Sequence, residues 1–273
     1  MTSEFDIFLG ILLAIIAYAC LYLGKGLQKY AIVGFVGKET TRSEKGKNMG
    51  IWIIGLILTG AFMFIHLFSL KFAPISVIAP IEGLGLIILC IFSYFILKEP
   101  LNRIKSTGII LIVIGLIFTA AFMPDPSTIP TAFDWTLFLI FLGSIMGFFI
   151  ILGFFSRHYQ YKAAGVVFGS FAGAFMCFQT LTKRITWIEG YQWVVFVMFG
   201  FAIATLLMTN FGFLKAEAVV VVPSFTAMSI MLPTIIAIFI FNEPVLLLQW
   251  LGIVIIVIGV VLLTSSSTEN NLQ

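Results

Sequence analysis

Long apolar runs alternate with short polar segments along the whole chain. The runs are apolar on all sides, so they differ from the one-sided pattern of helices on the surface of a soluble protein. A helix needs about 20 apolar residues to cross a bilayer, whereas the strands of a membrane barrel alternate over only about 10 residues. The pattern predicts nine transmembrane helices, at residues 7–23, 50–70, 75–97, 106–123, 135–155, 163–181, 193–214, 218–241 and 245–264.

The predicted fold is an all-α polytopic membrane protein built from two parts. A proline-containing segment at 124–130 is the clearest break in the chain. It predicts a first half at 1–124 with four spans and a second half at 135–264 with five, joined by a loop at 125–134. Residues 24–49 are predicted to form the one long loop, and residues 265–273 a disordered tail.

The composition supports this class of protein. The chain is 61% hydrophobic and 10% charged, whereas a soluble domain is about 45–50% apolar and about 25% charged. So few charges exclude a soluble enzyme and a nucleic-acid-binding module, and they make the lipid bilayer the expected surroundings. The cysteines, Cys20, Cys90 and Cys177, lie in apolar runs and are interpreted as small hydrophobic residues.

The basic residues predict an orientation. Of the fifteen lysines and arginines, twelve fall on one side of the nine spans, six of them in the 24–49 loop. Cytoplasmic loops carry such an excess. We therefore expect a plasma-membrane protein with its N-terminus outside and its C-terminus in the cytoplasm. Glu4 and Asp6 replace the basic start of a signal peptide, so none is predicted.

Part of the chain is repeated. Residues 95–115 and 239–259 are identical at ten of 21 positions at a constant offset of 144. The informative matches are Glu99 with Glu243, Pro100 with Pro244, Gly108 with Gly252 and Gly115 with Gly259. Five spans separate the copies, so they cross the membrane in opposite directions. Inverted repeats are typical of secondary transporters, whose substrate site lies between the repeats near the midplane. Glu99 and Glu243 are predicted to hold the N-terminus of the next helix.

Glu82 is the most informative polar residue inside a span. It lies seven residues into the third span, roughly 10 Å deep at 1.5 Å per residue. A carboxylate at that depth is a functional hypothesis by default. It would be a cation ligand or a proton carrier, or alternatively half of a structural ion pair with Lys183. His66 lies at a similar depth, near the outer end of the second span, and is either coupled to Glu82 in protonation or a hydrogen-bonded histidine near the membrane interface.

Proline and glycine mark a second set of candidates, Pro80, Gly83 and Gly85 in the third span and Pro223 in the eighth. Interrupted helices at corresponding positions of two repeats point to a transporter site. Each proline frees a carbonyl that needs another partner or lines a wet cavity. The alternative is a kink that neighbouring helices satisfy. Gly85 is expected to leave room beside the carboxylate of Glu82.

Four further polar residues complete the predicted path. Thr226 and Ser229 flank the proline break of the eighth span, and Thr226 occupies the repeat position of Glu82, so both are candidates for the opposite wall. Gln179 and Asn210 are candidates for the path or for interhelical hydrogen bonds. Three glycines spaced by four, Gly165, Gly169 and Gly173, predict close helix packing inside the fold in preference to a dimer face; a homodimer stays open.

Several segments resemble known families. FAPISVIAP at 72–80, KEPL at 98–101 and NEPV at 242–245 resemble the EamA-type repeat of the drug/metabolite transporter superfamily. YLGKGLQKYA at 22–31 and VVFGSFAGAF at 166–175 resemble the NIPA family of magnesium transporters more specifically. The resemblance implies an inverted repeat of four and five helices and transport of a divalent cation, with Mg²⁺ the type substrate. The family's acidic residue and asparagine of span two correspond here to Met63 and His66, and Glu82 stands where the family has a small residue.

Two functions therefore compete. The first is a carrier of Mg²⁺ or a related cation, with Glu82 as the metal ligand. Mg²⁺ keeps several waters and is bound through one or two carboxylates, so Glu82 and freed carbonyls would hold a partly hydrated ion. The second is a carrier of a small organic solute with Glu82 or His66 as proton carrier. No cofactor is predicted. An intramembrane enzyme is disfavoured, since the chain has no H-E-x-x-H motif.

Overall fold

The computed structural model describes residues 4–36, 42–96, 103–122, 133–161, 163–216 and 218–265, and this part of the chain is helical without strands. The helices are α1 (Glu4–Val36), α2 (Arg42–Phe72), α3 (Ile75–Ile78), α4 (Glu82–Ile96), α5 (Arg103–Ala121), α6 (Trp135–His158), α7 (Ala164–Ile185), α8 (Val195–Lys215), α9 (Ala218–Ile240) and α10 (Leu247–Ser265). Short 3₁₀ turns at Ala79–Ile81 and Gln192–Val194 precede α4 and α8.

The predicted fold class is confirmed. Seven helical segments of the described residues are long and apolar enough to cross a membrane. Two shorter apolar helices, Ser106–Thr119 and Leu247–Leu262, fall in the predicted fourth and ninth spans. Each of the nine apolar runs thus contains a helix, with α3 and α4 sharing the third, and the chain is an all-α polytopic membrane protein.

The predicted loop at 24–49 is wrong over most of its length. Helix α1 continues to Val36, and α2 begins at Arg42. The two helices pack closely at Gly24 and Gly55, where a Cβ on Gly24 would lie 2.7 Å from the Gly55 carbonyl oxygen. Further along, the Gln28 amide donates to Thr59 Oγ1 at 3.3 Å. The Gln28 side chain therefore lies in the contact between α1 and α2, whereas the described residues at 45–50 are mostly exposed.

Helices α5 and α10 pack through glycines that the repeat relates to one another. A Cβ on Gly252 would lie 2.8 Å from the Gly115 carbonyl oxygen, and a Cβ on Gly259 would lie 2.8 Å from the Gly108 oxygen. In the repeat, however, Gly108 corresponds to Gly252 and Gly115 to Gly259. Exchanging each glycine for its repeat counterpart turns the contact of Gly252 with Gly115 into the contact of Gly108 with Gly259, which is also present. Two contacts that exchange in this way are the pattern of a two-fold axis. This contact is what an inverted duplication requires.

The glycine stripe of α7 packs inside the fold, as predicted. A Cβ on Gly169 would lie 2.5 Å from the Val221 carbonyl oxygen, and one on Gly173 would lie 2.5 Å from that of Phe225. Small residues let α7 approach the backbone of α9 this closely. Both helices are mostly buried, as is the broken third span, whereas α6 is mostly exposed. The centre of the bundle is therefore formed by α3, α4, α7 and α9.

Candidate functional site

The break in the third span positions Glu82. Pro80 lies in the 3₁₀ turn that separates α3 from α4, and it lacks the amide proton that a continuous helix would need there. Glu82 is the first residue of α4 and is fully buried. The helix break thus places the Glu82 carboxylate directly after the 3₁₀ turn, inside the bundle.

The other residues predicted to interrupt helices do not do so. Helix α9 runs from Ala218 to Ile240 without interruption at Pro223, and Gly83 and Gly85 lie within α4. The two glycines of α4 serve in packing. A Cβ on Gly83 would meet Ile112 at 2.9 Å, and one on Gly85 would overlap the Tyr22 ring. The space beside Glu82 that Gly85 leaves is thus filled by an aromatic side chain.

The Glu82 cluster consists of Glu82, Tyr22, Thr226 and Ser229. Glu82 Oε1 accepts hydrogen bonds from the Tyr22 hydroxyl at 3.0 Å and from Ser229 Oγ at 2.7 Å. The Tyr22 hydroxyl also bonds Thr226 Oγ1. Glu82 Oε2 is buried and has no hydrogen-bond partner among the described residues. The structure brings the three predicted residues together, and it adds Tyr22, which sequence reasoning missed.

The His66 cluster, formed by His66, Lys183, Tyr18 and Phe62, lies beside it. Lys183 Nζ is 3.0 Å from His66 Nδ1, and His66 Nε2 is 3.2 Å from the Tyr18 hydroxyl. Both ring nitrogens of His66 therefore have a hydrogen-bond partner on another helix, Lys183 on α7 and Tyr18 on α1. Phe62 stacks on the His66 ring at 5.0 Å between centroids. All four side chains are buried.

Neither predicted partner of Glu82 bonds it directly. His66 and Lys183 bond each other, although Lys183 is close enough to Glu82 to interact with its charge. The link between the clusters is α1, on which Tyr18 and Tyr22 lie one turn apart and therefore on the same face. Tyrosine is also enriched near the ends of membrane spans, so nothing in the sequence distinguished these two from other aromatic residues.

Lys25 is a buried cation that the sequence assigned to a loop. Its side chain is 5% exposed. Its Nζ lies 2.9 Å from the centroid of the Phe225 ring, and in the described part of the chain it has no hydrogen-bond acceptor. It interacts electrostatically with Glu82. The single carboxylate of the Glu82 cluster is therefore under the influence of two buried lysines.

A cavity of about 260 Å³ opens beside Lys25, between α1, α2, α7 and α8. Its polar lining residues are Lys25, Gln28, Thr59, Gln179, Thr205 and Thr209, and the rest of its wall is apolar. Gln179 thus lies on this wall and not in either cluster. Asn210 follows Thr209 on α8, and its buried Oδ1 has no hydrogen-bond partner within the described ranges.

Glu243 holds a helix end, but not that of the next helix. Its carboxylate accepts hydrogen bonds from the backbone amides of Ile75 at 3.2 Å and Ser76 at 3.0 Å, at the start of α3. Burial raises the pKa of the Glu243 carboxyl, and the Arg184 guanidinium and these amides oppose that shift. The repeat-related Glu99 lies outside the described residues. Glu243 therefore ties the connection before α10 to the broken third span.

The Glu82 cluster is suited to hold a proton or to contribute one ligand to a hydrated cation. Within the described ranges no group of three His, Cys, Asp or Glu side chains could hold a metal ion. Mg²⁺ prefers oxygen ligands in an octahedron and keeps several waters. One carboxylate near two lysines does not replace that hydration shell, so a dehydrated magnesium site is not present in this part of the chain.

A helical bundle with a two-fold-related helix pair and a buried carboxylate between its repeats is the architecture of a membrane transporter. The family model "Magnesium transporter NIPA" matches residues 5–168, which is more than half of the chain. The chain belongs to this family of magnesium transporters. The predicted resemblance is confirmed.

Individual relatives match shorter stretches. A probable magnesium transporter of Arabidopsis thaliana, NIPA9, is 39% identical over 70 residues, which are 26% of this chain and 20% of the relative. Human magnesium transporter NIPA3 is 26% identical over 119 residues, 41% of this chain and 28% of the relative. The chain thus spans less than a third of either protein.

A different kind of relative matches over most of its own length. A probable 4-amino-4-deoxy-L-arabinose-phosphoundecaprenol flippase subunit, ArnE, of Pseudomonas fluorescens (strain Pf0-1) is 29% identical over 100 residues, 36% of this chain and 87% of the relative. No solved structure matches the chain.

Proposed function

We propose that this protein is a secondary transporter that carries Mg²⁺ or a related cation along a path between its two repeats, past Glu82. The observation that carries the proposal is the position of this carboxylate. It is fully buried at a helix break, and it accepts hydrogen bonds from α1 and from α9. Family membership supports the choice of a divalent cation.

Glu82 Oε2 is the proposed contact for the ion or for one of its waters. It is the carboxylate oxygen without a hydrogen-bond partner among the described residues. Lys25 and Lys183 oppose a second cation there by repulsion. In the proposed mechanism the ion and a lysine ammonium compete for the same carboxylate, and rocking of the repeats exposes it to each side in turn.

A small organic solute, carried with a proton, is the second candidate. The basic side chains around the site favour it, because Lys25, Lys183 and His66 are all buried near a single carboxylate. The adjacent cavity is lined by amides, hydroxyls and apolar groups. Such a lining is typical of sites for organic ligands.

The predicted orientation remains part of the proposal. Lys25 and Lys183 drop out of the count of loop charges because both are buried. Lys25 was counted on the predicted cytoplasmic side and Lys183 on the opposite side, so the excess of basic residues on the cytoplasmic side remains without them. We propose a plasma-membrane location with the N-terminus outside.

Flux measurements on the purified protein in liposomes test the choice of substrate. One set of vesicles contains a Mg²⁺-sensitive dye, and a parallel set receives radiolabelled amino acids and amines. The proposal expects Mg²⁺ flux above that of protein-free vesicles and no flux of the organic solutes. Organic flux that dissipates a proton gradient, without Mg²⁺ flux, would establish the second candidate instead.

A further inference from the structure

The cavity beside Lys25 has the features of a ligand site separate from Glu82. Leu21, Lys25 and Gln28 all line it, and their spacing of four and three residues puts them on one face of α1. Lys25 also contacts Phe225 of α9 through the ring face. It therefore lies at the inner end of the cavity, between the cavity and the Glu82 cluster.

Lys25 is the polar group that lacks a partner at this position. Its ammonium carries three donors, and in the described part of the chain none has an acceptor. A ring face gives a buried cation only part of the stabilisation that a carboxylate gives. The Lys25 side chain lines the cavity while its ammonium lies against the Phe225 ring at the cavity's inner end, so rotation of this one side chain would present an unpartnered ammonium to an anion in the cavity.

The cavity reaches the outer surface of the bundle. Ile203 and Phe199 of α8 line it and are exposed to the surroundings, Ile203 by 59%. Gly60 and Leu56 of α2 line the same side. Both helices are long and apolar enough to cross the bilayer, so the mouth between them faces lipid acyl chains. A ligand can enter here from the membrane with its apolar part still in lipid.

We propose that this cavity binds an amphipathic organic monocarboxylate, with the carboxylate on Lys25 and the hydrocarbon chain extending between α2 and α8. A volume of about 260 Å³ is close to the lower end of about 300 Å³ for small-molecule sites, so it fits the head and first methylenes. One ammonium neutralises one negative charge, and the amides of Gln28 and Gln179 are at hand as further donors. The proposal does not depend on which solute the protein carries.

Photolabelling in lipid nanodiscs tests the proposal. The probe is a ten-carbon carboxylate with a diazirine in its chain, and labelled peptides are mapped by mass spectrometry. Octanoate and octanol serve as competitors at equal concentrations in the bilayer. We expect labels on α2 and α8 near Leu56 and Ile203, displaced by octanoate and not by octanol.

Two variants and a matched control make the test specific. Lys25→Met keeps the length of the side chain and should weaken octanoate competition at least ~10-fold, the loss expected for a charged hydrogen bond. Lys25→Arg should retain it. Lys29→Met removes a charge from the same helix outside the cavity lining and should leave the labelling unchanged.

Folding and flux are measured separately for every variant. Thermal unfolding in the same nanodiscs identifies a variant that fails to fold, in which case Ala202→Phe, which fills the cavity from α8, replaces Lys25→Met. The proposal would be overturned if octanoate and octanol competed equally. It would also be overturned if Lys25→Met and Ala202→Phe left both the labelling and the octanoate competition unchanged. Since the readout is binding, absence of Mg²⁺ flux leaves its outcome unaffected.

Discussion

Ser229 on α9 donates a hydrogen bond of 2.7 Å to the carboxylate of Glu82 on α4, 147 residues earlier in the chain. The bond joins helices of the two repeats at the point where the third span is broken. In the proposed mechanism one repeat moves against the other, and such a movement would change this contact.

Tyr22 should stabilise the fold through the same carboxylate. Tyr22→Phe removes the hydroxyl that donates to Glu82 and leaves a buried oxygen with one partner fewer. We expect a loss of about 1–3 kcal/mol, seen as a lower midpoint of thermal unfolding in detergent. Tyr30→Phe is the control, because Tyr30 lies on the same helix and is exposed. Equal midpoints for the two variants would show that the hydroxyl contributes nothing.

The contact between α5 and α10 should tolerate no side chain. In Gly252→Ala the new Cβ would lie 2.8 Å from the Gly115 carbonyl oxygen, so the helices must separate. We expect a loss of about 1–3 kcal/mol, measured by the same unfolding assay. Gly143→Ala on α6 meets open space and should unfold no earlier than the parent. A stable Gly252→Ala protein would mean that the helices do not pack as described.

Glu243 should stabilise the start of α3 in the broken third span more than the segment in which it lies. Glu243→Ala removes the acceptor for the Ile75 and Ser76 amides, and an unsatisfied buried amide costs about 1–3 kcal/mol. Glu243→Gln keeps one acceptor oxygen and should lose less. Hydrogen exchange at residues 75–78 should rise in Glu243→Ala and stay at the parent level in Glu189→Ala, where the glutamate is exposed. Unchanged exchange would contradict the role.

The orientation can be read from single cysteines. His158 at the end of α6 and Glu189 after α7 are exposed and lie on opposite sides of α7. In a background with Cys20, Cys90 and Cys177 replaced by alanine, we expect Glu189→Cys to react with a membrane-impermeant maleimide in intact cells. His158→Cys should react only after permeabilisation. The reverse pattern would invert the proposed topology.

The apolar pattern was enough to predict the helices but not the ends of α1 and α2. Helix α1 continues well beyond its apolar run because Gly24, Lys25 and Gln28 face α2 or the cavity and not water. The added start of α2 is different, because its described side chains at 45–50 are mostly exposed. Composition cannot distinguish a lysine in a loop from a lysine buried in a helix pair. The repeat was predictable because matched glycines and Glu-Pro pairs survive in both copies.

The site was predictable in part for the same kind of reason. A glutamate deep in an apolar run stands out, and the offset of 144 placed Thr226 opposite Glu82. The hydrogen-bond partners of Glu82 and His66 could not be predicted, because they depend on which faces α1 and α7 turn toward the other helices. Those faces bring the Tyr22 hydroxyl to Glu82 and Lys183 to His66.

The most direct test of the account is transport by Glu82→Gln compared with Glu189→Gln. Both replace a carboxyl group with an amide of the same size, but Glu82 is fully buried between the repeats and Glu189 is exposed. The measurement is Mg²⁺ uptake into liposomes that contain equal amounts of folded protein, as judged by thermal unfolding. The account predicts that Glu82→Gln abolishes uptake and that Glu189→Gln retains the rate of the parent. Uptake by folded Glu82→Gln at the parent rate would contradict it.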